Sequence, residues 1–480
     1  MASPTVFLRR HVPIWVIPML WTLCLGMWGL SRQNSVWRDE AATWSVAERS
    51  TAEIGHLLGN IDVVHGCYYL LMHVLFELFG PSTTTLRLPS VLATAVAAAC
   101  VTVIGQRLAG TWAGLAGGLA FGLLPAVQFY LQEGRPYALV AAGAGVSTVL
   151  LVTTLQGRTS HWVAYFGTVL ICGLLNWLSL LLLLAHLATL AWSRAARAVW
   201  TRWSAASLAA AACVSPLILF SREQSAQVAW IPPLTWHMMI GPAALLGIGV
   251  VGALCDRPRA GQLSLAAVGL PLLAVPQICL IGLSLVQPLF LDRYVLFSLL
   301  GLALLIGAII GSAVTAAAPR FPRASMWILP LVVVVAMAAL LPQSLIKRSP
   351  QSRVDDVLAI AGKVQRLKKT GSAVLFIPPE RRDAEFVSPG AFAGLRDIAL
   401  KESPEKSGSL KGVETNPSQI RTAMLDQQRI LLLTDSVAKP VSAERDRMKI
   451  SVLKRHFTAV ADVRVRGRRV TVYERTESTR

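Results

Sequence analysis

The sequence predicts a polytopic α-helical membrane protein that ends in a small α/β domain. Three observations carry this. Of 480 residues, 54% are hydrophobic and only 15% charged, whereas soluble globular chains run at about 25% charged. Apolar stretches close to the roughly 20 residues that cross about 30 Å of hydrocarbon recur through the first two-thirds of the chain. The charge is also unevenly placed. Residues 1–342 hold 18 basic side chains, all Arg, and 10 acids; residues 343–480 hold 27 and 16, with every Lys, giving a net charge of +19. A transmembrane domain over 1–342 and a soluble domain over 343–480 follow, and a single water-soluble domain is excluded.

The expected crossings are 12–31, 88–106, 112–130, 135–155, 161–176, 177–193, 204–221, 238–254, 261–285, 294–312 and 324–342, eleven in all. The 33 residues of 161–193 would make a helix of roughly 50 Å. One crossing does not need that length, so two short helices are expected to meet near Asn176. The first span is read as a retained anchor, because it is long for a signal peptide and no small-residue cleavage site follows Gly29.

Arginine placement orients the chain. With Arg9 and Arg10 inside, the inner loops collect eleven Arg and a single acid, Asp256, while the other face collects nine acids and seven Arg. Eleven crossings then put residues 343–480 outside. The Ala-, Leu- and Arg-rich composition suggests a GC-rich bacterial gene. The expected location is therefore a bacterial plasma membrane, multi-pass, with a cytoplasmic N-terminus and an extracytoplasmic C-terminal domain.

Residues 32–87 are too many for a plain connector. Within them Tyr68–Phe79 is apolar but short for a span and carries His73 and Glu77, which predicts an interfacial helix. The C-terminal region alternates a helix (Val354–Lys369), a strand (Ala373–Ile377), a helix near Gln419–Gln428, a strand (Arg429–Thr434) and a basic alternating pair around Val463–Tyr473. The segment 380–418, rich in charge, Ser, Pro and Gly, is expected to be a mobile loop. An external basic region faces membrane lipids, cell-wall polymer or solvent, and nucleic acid is not an expected partner. No metal-ligand spacing, Walker loop or dinucleotide fingerprint occurs.

Ionisable groups gather on the outer face. Trp37-Arg38-Asp39-Glu40 opens the first outer loop; paired acids there suit a general base, a divalent metal site or both, or simply helix caps. Asp62, His65, Tyr68 and Tyr69 follow in the same loop. Glu133-Gly134-Arg135-Pro136-Tyr137 joins the third and fourth spans, Arg222-Glu223-Gln224 and Gln227–Trp230 follow the seventh, and Asp292-Arg293-Tyr294 follows the ninth. Each alone reads as interfacial anchoring or a surface ion pair. Together they predict a shared polar cavity. Such a cavity suits a lipid-anchored phosphate donor and a hydroxyl acceptor: Arg grips phosphate oxygens through a planar fork, and a carboxylate takes the acceptor's proton.

The ordered pieces Trp37-Arg38-Asp39-Glu40-Ala41, Asp62…His65-Gly66-x-Tyr68-Tyr69-Leu70-Leu71, Phe79-Gly80…Leu86-Arg87-Leu88-Pro89-Ser90, Gln132-Glu133-x-Arg135-x-Tyr137-Ala138-Leu139 and Arg293-Tyr294 resemble the GT-C fold glycosyltransferases, the superfamily of protein O-mannosyltransferases and lipid A aminoarabinose transferase. The resemblance covers about residues 1–300. It implies a polyprenyl-phosphate-sugar donor and transfer with inversion on the outer face to a glycan, lipid or protein hydroxyl. Mannose is the sugar most commonly implied, and arabinose is compatible. Carried over, Asp39 is the base and Glu40 assists it or helps hold a metal. Arg135 and Arg293, with Tyr137 and Tyr294, meet the donor phosphate. Arg38, Asp62, His65, Tyr68, Glu133, Arg222 and Gln224 would line the acceptor side. Val64-His65-Gly66-Cys67 departs from the Pro-Pro that many relatives carry before the Tyr pair, which leaves acceptor specificity open. Two other classes stay open at this point: a lipid-linked-sugar flippase or transporter without transferase activity, and a catalytically silent scaffold. The absence of a convincing internal repeat speaks against the transporter.

Overall fold

A computed structural model describes residues 13–158, 161–224, 230–258, 262–437, 440 and 443–476. Arg9, Arg10, Arg259 and residues 227–229 of the expected loops lie outside the described residues. In chain order the helices are α1 (Val16–Met27), α2 (Arg38–Ala47), α3 (Thr51–Asn60), α4 (Gly66–Phe79), α5 (Thr83–Ala109), α6 (Thr111–Leu123) and α7 (Pro125–Tyr130). Then come α8 (Tyr137–Leu155), α9 (Trp162–Leu175), α10 (Leu181–Trp192), α11 (Arg197–Glu223), α12 (Trp236–Cys255), α13 (Ala266–Ser284), α14 (Leu299–Ala317) and α15 (Pro322–Lys347).

Among the described residues seven helices are long and apolar enough to cross a membrane: α5, α8, α11, α12, α13, α14 with the turn before it, and α15. The chain is a multi-pass membrane protein. The other four expected spans coincide with the shorter apolar helices α1, α6, α9 and Trp177–Trp192. Asn176 breaks the long apolar run as expected: its backbone is extended and its side chain accepts from the Leu178 amide at 3.2 Å. The span expected over 112–130 is instead two helices, because Pro125 pushes Leu124 out of the helical region and starts α7. Small residues bring backbones together within the bundle. A Cβ at Gly114 of α6 would lie 2.6 Å from the Thr102 carbonyl oxygen of α5.

The loop expected as a single interfacial helix holds α2, α3 and α4. Helix α4 buries Tyr68, Tyr69, Met72 and Phe76 and exposes Leu70, Val74, Leu78 and Phe79, an apolar outer edge.

The C-terminal region comprises α16 (Val357–Leu367), β1 (Ala373–Ile377), α17 (Asp383–Val387), α18 (Pro389–Phe392), β2 (Arg396–Asp397), β3 (Leu400–Glu402), α19 (Pro404–Ser407), β4 (Val413–Glu414), α20 (Pro417–Leu425), β5 (Arg429–Asp435), α21 (Glu444–His456), β6 (Phe457–Val465) and β7 (Arg468–Arg475). The main sheet runs β2-β1-β5-β7-β6, parallel across β2, β1 and β5 and antiparallel from β5 to β6. Strand β1 is apolar throughout and β5 is apolar over its buried centre, residues 430–433, because both faces are covered there. Val374, Phe376, Leu431 and Leu433 join the core shared with α2 and the bundle, while Leu375, Ile377, Ile430 and Leu432 pack under α20 and α21.

The segment 380–418 is not the loose loop its composition predicts. It is built of short elements around a buried ion network. Arg382 donates to Asp397 at 2.5 Å and Glu414 at 2.6 Å, and Lys449 donates to Glu414 at 2.8 Å and Asp446 at 3.0 Å. The five residues converge from four segments too far apart in sequence to be read together, only Asp446 and Lys449 being near neighbours.

Candidate active site

Three consecutive residues beyond α1, Arg32, Gln33 and Asn34, have φ of 50°, 55° and 57°. A left-handed turn of non-glycine residues costs roughly 1–2 kcal/mol per residue, so the surroundings must hold it. It reverses the chain, points the buried Arg32 inward and delivers α2. Within α2, successive side chains diverge by the helical turn. Asp39 therefore faces a cavity and Glu40 faces the protein.

The cavity holds about 1040 Å³ and is walled by Trp37, Arg38, Asp39, Asp62, His65, Arg135, Tyr137, Arg222, Gln224, Trp230, Arg293 and Tyr294, with Asn176, Trp177 and Gln287. Residues from the five outer-face segments that the clustering of ionisable groups predicts meet here, joined by a sixth at Asn176 and Trp177. Asp39 Oδ2 is 3.0 Å from Arg293 Nη1 and 3.9 Å from Arg135 Nη2. The Arg293 guanidinium lies 5.6–5.7 Å from the ring centres of Tyr137, Trp230 and Tyr294, an aromatic cage that favours a cation. Among the described residues Arg135 Nε and Nη1 and Arg293 Nε are buried without an acceptor. Such donors are costly to leave unpaired.

The first outer loop is pinned around the cavity. Tyr69 donates to Asp62 at 2.8 Å, the Val63 amide donates to Gln224 Oε1 at 3.0 Å, and Gln224 Nε2 donates to the Leu58 carbonyl at 3.0 Å. Gln224 thus ties the loop to the end of α11. Loss of solvation pushes the Asp62 carboxyl up despite the Arg135 charge. The same loss, with the charges of Arg135 and Arg293, drives His65 well below its ordinary value and keeps the imidazole neutral.

Three of the residues expected at the site lie behind its wall. Glu40 is fully buried: Oε1 accepts from Arg87 Nε at 2.8 Å and the Gly134 amide at 3.1 Å, and Oε2 accepts from Arg87 Nη2 at 2.7 Å and Arg32 Nη1 at 3.4 Å. Burial opposes its charge, but Arg87 and Arg32 overcome this and hold the carboxyl down at about 2. Its expected role beside Asp39 or on a metal gives way to fixing the turn that carries Arg135. Thr43 stitches the same turn by donating to the Gly134 carbonyl at 3.1 Å. Tyr68 is fully buried under the loop. Glu133 is buried too, neither oxygen has a hydrogen-bond partner among the described residues, and burial pushes its carboxyl up to about 7.

Among the described residues no three His, Cys, Asp or Glu side chains converge; of the two carboxylates on the cavity wall, Asp39 is shared by two guanidinium groups and Asp62 accepts from Tyr69.

Sequence reasoning missed the buried arginines behind the site. Arg87 and Arg32 hold Glu40, Arg353 donates to the Phe129 carbonyl at 2.8 Å, and Arg348 donates to the Trp28 carbonyl at 2.8 Å and Gln128 Oε1 at 2.6 Å. The available signal was their position: Arg32 and Arg348 follow apolar helices and Arg87 stands in the first turns of one.

An apolar bundle with a helical first loop, a polar cavity beneath that loop and a C-terminal α/β region is the GT-C fold of membrane glycosyltransferases, and this chain has it. The fold is shared with ArnT from Cupriavidus metallidurans bound to undecaprenyl phosphate, with a TM-score of 0.61 and 14% identity over 97% of this chain and 98% of that one. The apo structure of the same ArnT gives 0.60 and 13% over 95% and 97%. The mycobacterial arabinofuranosyltransferase AftD gives 0.47 and 16% over 97% of this chain and 40% of that one. No family model and no curated protein matches the sequence.

Proposed function

We propose that this chain is an integral membrane glycosyltransferase that moves a sugar from a polyprenyl-phosphate donor to a hydroxyl acceptor at the outer face of a bacterial plasma membrane. One observation carries the reading: Asp39 stands on the cavity wall between Arg135 and Arg293, whose remaining buried donors lack an acceptor among the described residues. A phosphate supplies what those donors lack. The undecaprenyl phosphate held by a protein of the same fold supports a polyprenyl donor.

In this reading the acceptor oxygen attacks the anomeric carbon from the side opposite the phosphate. The bond from that carbon to the phosphate oxygen breaks as the glycosidic bond forms, so the configuration inverts. The acceptor's proton goes to Asp39. The electron pair of the broken bond stays on polyprenyl phosphate, where Arg135 and Arg293 offset the charge. Before donor arrives the two arginines share Asp39. A bound phosphate draws them toward itself and leaves the carboxylate a better base. Glu40 and Thr43 hold the Arg135 turn, and the aromatic cage holds Arg293.

The resemblance makes mannose the first sugar to test, with arabinose second. Membranes containing the chain should transfer label from the matching polyprenyl-phosphate sugar to an added or endogenous hydroxyl acceptor, and membranes without it should not. Equal transfer from both would remove the assignment.

A further inference from the structure

We infer that Asp355 of the C-terminal region caps the helix that carries Asp39, so that this region is a positioning part of the active site; the inference rests on Asp39 being the base. A helix leaves its first amides without intrahelical acceptors, and a Ser, Thr, Asp or Asn before it normally supplies one. At the start of α2 that place holds Trp37, and no side chain of its own loop caps it. The acceptor comes instead from 317 residues away: the Arg38 amide donates to Asp355 Oδ1 at 3.1 Å. Arg38 Nε donates to Asp355 Oδ2 at 3.0 Å, so the carboxylate grips the first residue of α2 by both backbone and side chain. Asp355 also places negative charge at the positive end of the helix dipole.

The cap is itself held. Asp355 is fully buried; Arg468 Nε donates to it at 2.9 Å and Nη2 lies 2.8 Å from the same oxygen, while Nη1 and Nη2 donate to Asp383 at 2.8 Å and 2.5 Å. The Val357 amide donates to the Val36 carbonyl at 2.7 Å, which aligns the two strands of chain leading into α2 and α16. Gly467, with φ +69°, lets the β6–β7 turn press on this junction, where a Cβ would overlap the Val354 carbonyl oxygen and Asp355. Helix α17 packs against α2, and Ala384 and Val387 share one core with Ala41 and Trp44. Asp39 is the next residue after the capped one. A displacement of about 1 Å at a reacting group can cost as much as 100-fold in rate.

The test uses the full chain in detergent or vesicles and compares Asp355→Ala, which removes the acceptor, with Asp383→Ala, which removes the other partner of Arg468 but leaves the Arg38 cap in place. Two readouts are taken: hydrogen exchange over residues 38–40, and turnover per site counted by stoichiometric binding of undecaprenyl phosphate. Asp355→Ala should speed exchange over 38–40 at least tenfold and lower turnover per site about tenfold with donor KM within twofold. Asp383→Ala should change neither. Unchanged exchange or turnover in Asp355→Ala, or an equal fall in Asp383→Ala, overturns the inference. If Asp355→Ala does not fold, exchange in the parent decides: an Arg38 amide as fast as an uncapped first-turn amide contradicts the cap. A parent chain without transfer sinks the functional reading instead, and the exchange comparison still judges the cap.

Discussion

Arg293 Nη1 lies 3.0 Å from Asp39 Oδ2, a contact between residues 254 positions apart that joins the first outer loop to the turn before α14. The pair unites the two groups the proposed chemistry needs, a base and a phosphate partner. Arg293→Lys should keep the charge but lose the planar fork and its fit among three aromatic rings. Charge-assisted hydrogen bonds contribute roughly 1.5–3 kcal/mol, so KM for the polyprenyl-phosphate sugar should rise about tenfold or more, with a smaller change in kcat. An unchanged donor KM would detach Arg293 from the phosphate.

Glu40→Gln should act on stability. Removing one partner of a buried ion cluster costs about 3–5 kcal/mol, and here it strands Arg87 and Arg32 together. The sign with pH follows from the lowered carboxyl. The folded value is about 2, against about 4.3 when unfolded, so this stability is complete above about pH 4.5 and is lost as pH falls toward 2. Denaturation of the purified chain should show the parent losing stability over that interval and Glu40→Gln destabilised at neutral pH, with little left to lose on acidification.

Glu133 predicts the opposite trend. Its folded carboxyl sits at about 7, above the unfolded value of about 4.3. Folding therefore carries no penalty from this group below about pH 4 and loses stability as pH rises through about 7. Glu133→Gln should flatten the stability profile between pH 5 and pH 8 and melt above the parent at pH 8. Parallel profiles would contradict the assignment of that slope to Glu133.

Much of this architecture was legible in the sequence because the membrane imposes it. Spans had to be apolar over about 20 residues, so seven of the eleven expected crossings fall on helices long and apolar enough to span and the other four on shorter apolar helices, with 112–130 divided between α6 and α7; strand β1 runs over the expected Ala373–Ile377. The cavity was legible as acids, arginines and aromatics on one face. What escaped was direction. Asp39 and Glu40 are neighbours in sequence, and only the helical state of α2 sends one to the cavity and the other to Arg87. Long-range pairs escaped for a related reason. Nothing local to Arg382, Glu414 or Lys449 says that they neutralise one another, and nothing local to Asp355 points to Arg38. Charge in a sequence reads as surface until its partner is known.

The orientation of the chain is tested by cysteine labelling in a cysteine-free background. Ser418 and Ala196 are both exposed. The arginine asymmetry predicts that an impermeant reagent applied outside intact cells labels Ser418→Cys and misses Ala196→Cys. The reverse pattern would put the cavity on the cytoplasmic side and exclude an extracytoplasmic acceptor.

Asp39→Asn puts the central claim to its most direct measurement. The substitution keeps the shape of the side chain and removes the base. Transfer of labelled sugar from the polyprenyl phosphate that the parent uses is measured per folded chain, alongside binding of undecaprenyl phosphate. General base catalysis contributes about 10²–10⁴-fold, so turnover should fall by that factor, while donor binding holds or tightens because Arg293 and Arg135 no longer divide themselves with a carboxylate. Turnover within twofold of the parent would remove Asp39 as the base and with it the mechanism proposed for this cavity.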